Sequence, residues 1–298
     1  MKTSAKKETI QTVESKELAS KAMLVRLSIS MWTARKHDAK ASKEIADKHQ
    51  AKSDAGRYNK ALIAKGALQK LQSISNEIRI FHYANTLPWS DEGMRILTSA
   101  NFNTYSEKIR SLKSDFENEV KAFVDGYNTY VEESKERLGT LFNEGDYPHE
   151  KEIAEKFNVT TSIYPLPMSS DFRVKLRSED ASIIKKEIEE GLKAAQVVAM
   201  KDLWNRLYES VSHMSERLNS PDKIFKNSMI SNLTELCSLL PVLNISNDSK
   251  LEEMRKDVEQ KLCSFDPEEL RKDKKVRKQT AKTADDLLSA MSGYIGGK

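Results

Sequence analysis

The chain is poor in the residues and motifs that announce an enzyme or a secreted domain. Its two cysteines, Cys237 and Cys263, allow one bridge at most, which is no disulfide framework. Both lie in helical, partly apolar contexts and read as free, buried thiols of a reducing compartment. Glycine (10) and proline (7) are scarce in 298 residues, which argues against a sandwich or barrel with its many turns. No run approaches the roughly 18–20 apolar residues of a spanning helix. The N-terminus mixes acids and lysines without the apolar stretch of a signal peptide, so the expected setting is soluble and cytoplasmic, without a membrane partner. Net charge is +4, too small to require nucleic acid or an anionic lipid surface. His37, His49, His82, His149 and His213 share no helix-face spacing and none lies near a cysteine, so no zinc site arises locally. No Walker phosphate loop, dinucleotide fingerprint or nucleophile elbow occurs. The expectation is therefore no metal, no cofactor and no catalytic residue.

Against these absences stand two long amphipathic patterns. One spans 104–143, with Tyr105, Ile109, Leu112, Phe116, Val120, Phe123 and Tyr127 on one stripe, and with bends expected at Gly126 and Gly139. The other spans 179–219, through Ile184, Ile188, Leu192, Ala195, Leu203, Leu207, Val211 and Leu218. At 1.5 Å per residue each would be roughly 55–60 Å long. Two such stripes are most simply buried on each other. The sequence thus predicts a mainly α protein built on an elongated, coiled-coil-like antiparallel helical hairpin with shorter helices alongside. A small three-stranded β-element is expected from period-two alternation at 24–32, 158–165 and 171–177. Residues 1–20 read as a disordered arm, 21–265 as a single α-rich domain, and 266–298 as a basic tail with a short apolar end.

Three segments stand out as candidate sites. His82, Tyr83, Trp89, Ser90 and Asp91 gather at a helix break around Pro88. They could form a recognition loop, or His82 and Asp91 an acid–base pair. Equally, the rings would plug a corner while Ser90 and Asp91 cap the next helix, which we favour for want of a partner nucleophile or ligand. Arg271, Lys272, Lys274, Lys275, Arg277, Lys278 and Lys282 form a basic tract that could bind phosphates or serve as a linker. Leu287, Leu288, Met291, Tyr294 and Ile295 form an apolar segment that could dock into a groove on a partner, or fold back on its own body.

Several stretches resemble a family of bacterial and phage proteins of unknown function. They are Leu24 to Lys36, Ala55 to Lys60, His82-Tyr83, Thr86-Leu87-Pro88-Trp89-Ser90-Asp91, Ala100-Asn101-Phe102 and Asp171-Phe172-Arg173-Val174. The resemblance covers about 22–180 well and the second long pattern more loosely, and Leu-Pro-Trp-Ser-Asp is its most specific piece. The family supplies no activity to carry over. It implies a context of phages and conjugative elements, near a MoxR-type AAA+ ATPase and DNA recombination genes. The expected function is a non-enzymatic scaffold or adaptor of a mobile element in a bacterial host, self-associating as a homo-oligomer or docking on such an ATPase. The alternative is a DNA-binding accessory protein that uses the basic tract.

Overall fold

The computed structural model describes residues 10–89, 93–171, 174, 177–220 and 225–295. A short helix, α1 (Ser15–Lys21), leads into strand β1 (Ala22–Ser30), followed by β2 (Arg35–His37), α2 (Ala39–Lys48) and β3 (Asn59–Ala61). Helix α3 (Gln69–Ala84) gives way to strands β4 (Leu87–Pro88) and β5 (Met94–Thr98), then to α4 (Phe102–Asp125) and α5 (Tyr127–Leu138). The single turn α6 (Glu150–Ile153) and strand β6 (Asn158–Tyr164) precede the 42-residue α7 (Ser178–Asn219). Four helices follow: α8 (Ser228–Leu243), α9 (Ser249–Leu262), α10 (Pro267–Lys272) and α11 (Lys274–Met291). The protein is mainly α with a small antiparallel sheet, and its long helix lies where the apolar periodicity places it.

Local chemistry sets the boundaries. The first long pattern breaks at Gly126, where a Cβ would come within 3.1 Å of the Tyr130 ring, and α5 stops at Gly139, held at φ +51°. Helix α4 starts earlier than Thr104, because Thr98 caps a preceding 3₁₀ turn that runs straight into it. Asp248, Asp266 and Asp273 accept amide hydrogens at the starts of α9, α10 and α11, and Pro267 occupies the first turn of α10.

Strands β1 and β6 fall on two of the predicted segments; most of the third, 171–177, is not described. Phe172, Arg173, Lys175 and Leu176 lie outside the described residues, and Val174 is exposed and not in a strand. The sheet runs β4-β5-β1-β6, with Leu24 opposite Ile96 and Leu87 opposite the same Ile96 from the other side. Gly93, at φ +80°, turns the chain into β5.

The chain forms two compact units rather than one domain with a tail. One comprises Met1–Arg26, Tyr83–Tyr105 and Ser162–Lys298; the other comprises Leu27–His82 and Ser106–Thr161. In the first unit, the stripe of α7 is covered by α11 and α8. Arg277 at the start of α11 reaches the last carbonyls of α7, Ser215 bonds Asp285, and Tyr294 stacks on Trp204 at 4.0 Å. Those three pairings run in opposite senses along the two helices, so the antiparallel pair is α7 with α11. Residues 10–20 are not a loose arm. The Gln196 side chain brackets the backbone of Val13, with bonds of 2.8 Å and 3.1 Å, and Leu18 is buried in the core. Residues 1–9 lie outside the described part.

In the second unit, ion pairs Lys108–Glu77 (3.3 Å) and Lys70–Glu119 (4.0 Å) join α4 to α3 in an order that makes them antiparallel. Beneath them, Leu71 and Ile78 are buried, as are Ile109, Leu112 and Phe116. An aromatic cluster of Trp32, Phe123, Tyr127 and Phe157 fills one part of this core, with ring centroids 5.4–6.3 Å apart.

Candidate functional site

The densest polar arrangement in the first unit is built on the corner where α3 ends. Pro88 removes a donor and biases Leu87 to extended backbone, so the helix stops and leaves its last carbonyls without intrahelical partners. Arg206, from the middle of α7, supplies the donors. It bonds Ala84 O at 2.7 Å, Tyr83 O at 3.0 Å and Thr86 O at 2.7 Å, and pairs with Asp202 one turn back at 2.7 Å. Arg95, from β5, donates to Thr86 Oγ1 at 2.7 Å and Thr86 O at 3.0 Å, and its guanidinium lies over the Tyr83 ring at 4.7 Å. Burial, then the neighbouring Arg206 charge, pulls Arg95 below its ordinary pKa. On the other side of the turn, the Asn101 amide donates to Asn85 O and Asn85 Oδ1, both at 3.1 Å. Thr98 Oγ1 caps Asn101 and donates to Val242 O of α8 at 2.7 Å.

This corner brings together Thr86-Leu87-Pro88 and Ala100-Asn101-Phe102, two of the segments that carry the family resemblance. The bonds from Arg206, Arg95 and Asn101 end on main-chain carbonyls or neighbouring polar side chains, so the arrangement fixes the path of the chain. Of the predicted loop residues, Tyr83 is 54% exposed beneath Arg95, and Trp89 is half-buried against the core. His82 is buried within the last turn of α3. Ser90 and Asp91, and with them the expected caps and the His82–Asp91 pair, lie outside the described residues. Sequence reasoning missed Arg95 and Arg206, and singled out Asn101 only within Ala100-Asn101-Phe102, without a role. Asp202 and Arg206, four residues apart, read as a surface ion pair.

The basic tract is no flexible linker. It spans the end of α10 and the first half of α11, and two of its members are absorbed by the fold. Arg277 caps α7 through Leu218 O (2.8 Å), Arg217 O (2.7 Å) and Ser220 O (2.7 Å), and Arg271 bonds Phe225 O at 3.1 Å. Lys272 pairs with Glu268 at 2.8 Å. Lys274, Lys275, Lys278 and Lys282 are exposed on α11 and, among the described residues, make no ion pair. The terminal apolar segment folds back on its own body. Leu287 and Met291 are buried, while Leu288, Tyr294 and Ile295 pack against the same core.

A surface furrow lined by Tyr208, Glu209, Ser212, His213, Glu216 and Arg217 lies on one helix, α7, and is open to solvent. Among the described residues, no group of three histidines, cysteines or carboxylates is placed to hold a metal ion, and no helix is long and apolar enough to cross a membrane. No family model, curated protein or solved structure matches this chain.

Proposed function

We propose that the protein is a non-enzymatic helical scaffold or adaptor that self-associates through the N-terminal part of α7. The observation that carries this reading is an apolar surface left open on an otherwise charged helix. Before Leu192 no residue of α7 is buried, Ile183 is 58% exposed, Ile184 and Ile188 are half-buried, and Val198 is 50% exposed. At 3.6 residues per turn, Ile183 and Val198 project within about 60° of one another, so one partner helix can cover both. Ile163 and Tyr164 add exposed apolar surface in the same unit. Light scattering coupled to size exclusion tests the reading. Wild type is expected as a defined oligomer, and the double variant Ile183→Asp, Val198→Asp as a folded monomer. A wild-type monomer at every concentration overturns it.

A phage or mobile-element setting in a bacterial cytoplasm, with a MoxR-type AAA+ ATPase as partner, rests on the family resemblance alone. Co-elution of the protein with such an ATPase encoded beside it is the direct test.

A second reading, binding to nucleic acid, is favoured by one observation. Lys274, Lys278 and Lys282 recur every four residues along one exposed side of α11, with Lys275 adjacent. They would span about 12 Å, enough to follow phosphates along a backbone. Aromatic stacking residues are absent between 271 and 282, so the contact would be to phosphate rather than to bases.

A further inference from the structure

Positive charge is concentrated in one part of the second unit. Between Arg35 and Lys65 stand nine lysines and arginines against four carboxylates, while the whole chain carries only +4. This stretch therefore accounts for the net charge of the protein. At its centre is the ribbon of β2 and β3, with Arg35 opposite Ala61, Lys36 opposite Lys60 and His37 opposite Asn59. Opposed residues of an antiparallel pair share a face and successive ones alternate, so Arg35, His37, Asn59 and Ala61 lie on one face. All four are exposed. On the other face Lys60 is buried against Asp38 and Asp146, which anchors the ribbon.

The ribbon is held in shape by its own bonds. Ala34 O accepts from Leu62 N at 2.7 Å and Tyr58 O from Asp38 N at 3.0 Å, closing the ladder at both ends. Ser42 Oγ, in the first turns of α2, donates to Asp38 O at 2.6 Å and accepts from Tyr58 N at 2.9 Å. It also lies 3.1 Å from His37 Nε2. Arg137 of α5 donates to Ala61 O at 2.6 Å, which brings a second guanidinium to the Arg35 end. Lys40 and Lys43 are exposed on α2, and Arg57 is exposed just before β3. Among the described residues, Arg35, Lys36, Lys40, Lys43 and Arg57 make no ion pair.

We propose that this ribbon docks on duplex DNA, its outer face in the major groove and Lys36, Lys40, Lys43 and Arg57 on the flanking phosphates. The groove, about 12 Å wide, admits a two-stranded ribbon whose strands lie about 5 Å apart. Arginine and asparagine have forks that match guanine and adenine edges there, and Arg35 and Asn59 share the outer face. The surrounding cations supply the phosphate contacts that set affinity and register. That face carries no large apolar side chain of the kind a membrane contact inserts. The surface belongs to the second unit, so the proposal rests neither on self-association through α7 nor on the lysines of α11.

Fluorescence anisotropy of the full chain with a short labelled duplex tests the proposal. Four phosphate contacts imply an affinity that falls about 100-fold between about 50 and about 200 mM salt. Replacing Lys36, Lys40, Lys43 and Arg57 by Ala is expected to remove most of that salt dependence and to weaken binding at least about tenfold at the lower salt. Wild-type affinity in that variant, which keeps the α11 lysines, overturns the proposal. Lysine acetylation of wild type, read by peptide mapping, gives a check that needs no variant. The duplex is expected to protect Lys36, Lys40 and Lys43. No duplex binding at low salt, ribbon lysines left unprotected, or tighter binding to single strands or to phosphatidylserine vesicles also overturns it.

Discussion

The Lys60 ammonium sits 2.7 Å from Asp146 Oδ2, in a position only 5% exposed. It also lies 3.1 Å from Asp38 Oδ2 and 2.7 Å from Leu141 O. One cation thus ties β3 to the start of α2 and to the turn after α5, three segments far apart in sequence. Burial alone would pull Lys60 down, but the bonds to Asp146 and Asp38 outweigh it, so its pKa stands above that of an ordinary lysine. Asp38 stands below its ordinary value, held there first by the Ala41 amide and then by Lys60.

These opposite shifts predict the pH profile. A lysine whose pKa rises on folding stabilises the protein below its unfolded value, near 10.5, and loses that contribution as pH climbs through the folded value. A carboxylate whose pKa falls on folding stabilises above about 4 and loses that as pH drops through the folded value. The stability of this unit is therefore expected to be level between those limits and to fall outside both. Lys60→Met should cost about 3 kcal/mol, because it leaves two carboxylates facing each other without their cation. Urea unfolding followed by Trp32 fluorescence across pH would check both, and a Lys60→Met variant as stable as wild type would remove the triad from the account.

Arg206 makes a separate prediction. Its planar fork serves three carbonyls and a carboxylate at once, a geometry lysine cannot reproduce. Arg206→Ala is expected to destabilise the first unit by about 2–3 kcal/mol, and Arg206→Lys to recover less than half of that. Thermal melts of the two variants beside wild type decide it, and full recovery by lysine would mean that charge, not shape, holds the corner.

The elements most readable from sequence are those with one period and clear punctuation. The alternation of Leu27 and Ile29 with Arg26, Ser28 and Ser30 marks β1, and both long apolar stripes are seen as such. Gly126, Gly139 and Asp266-Pro267 mark breaks and starts where the chain has them. What periodicity withholds is the partner. The stripe on α7 states which face is apolar, not what covers it, and the covering helix α11 is weakly marked. Its buried face is Thr280, Ala281, Ala284, Leu287 and Met291, where small side chains carry little hydrophobic signal beside five Lys and Arg. Strand β5 is short and its sequence, Met-Arg-Ile-Leu-Thr, shows no clean period-two alternation, so it is weakly marked. The role of Arg206 depends on carbonyls about 120 residues away, and no local pattern encodes them.

The same structure separates the arginine of the basic tract from its lysines. Arg277 caps α7 from a partly buried position, so Arg277→Ala is expected to lower stability by about 1–3 kcal/mol. Replacing Lys274, Lys275, Lys278 and Lys282 together by Ala should shift it by less than about 1 kcal/mol, since exposed sites of this kind contribute little. If the lysines bind nucleic acid, that variant loses affinity and flattens the salt dependence while its melt stays put. Affinity that is unchanged, or flat between low and moderate salt in wild type, removes the nucleic-acid reading. Deleting 266–298 cannot serve as the control. It strips Leu287, Met291 and the Tyr294 ring from α7, and each buried Leu or Met side chain contributes about 1.5–3 kcal/mol. Their sum is comparable to a whole domain's stability of about 5–15 kcal/mol. The truncated chain is therefore expected to lose helix content and to expose Trp204, with red-shifted emission. A truncation that keeps its circular dichroism would show that α11 is dispensable to the core.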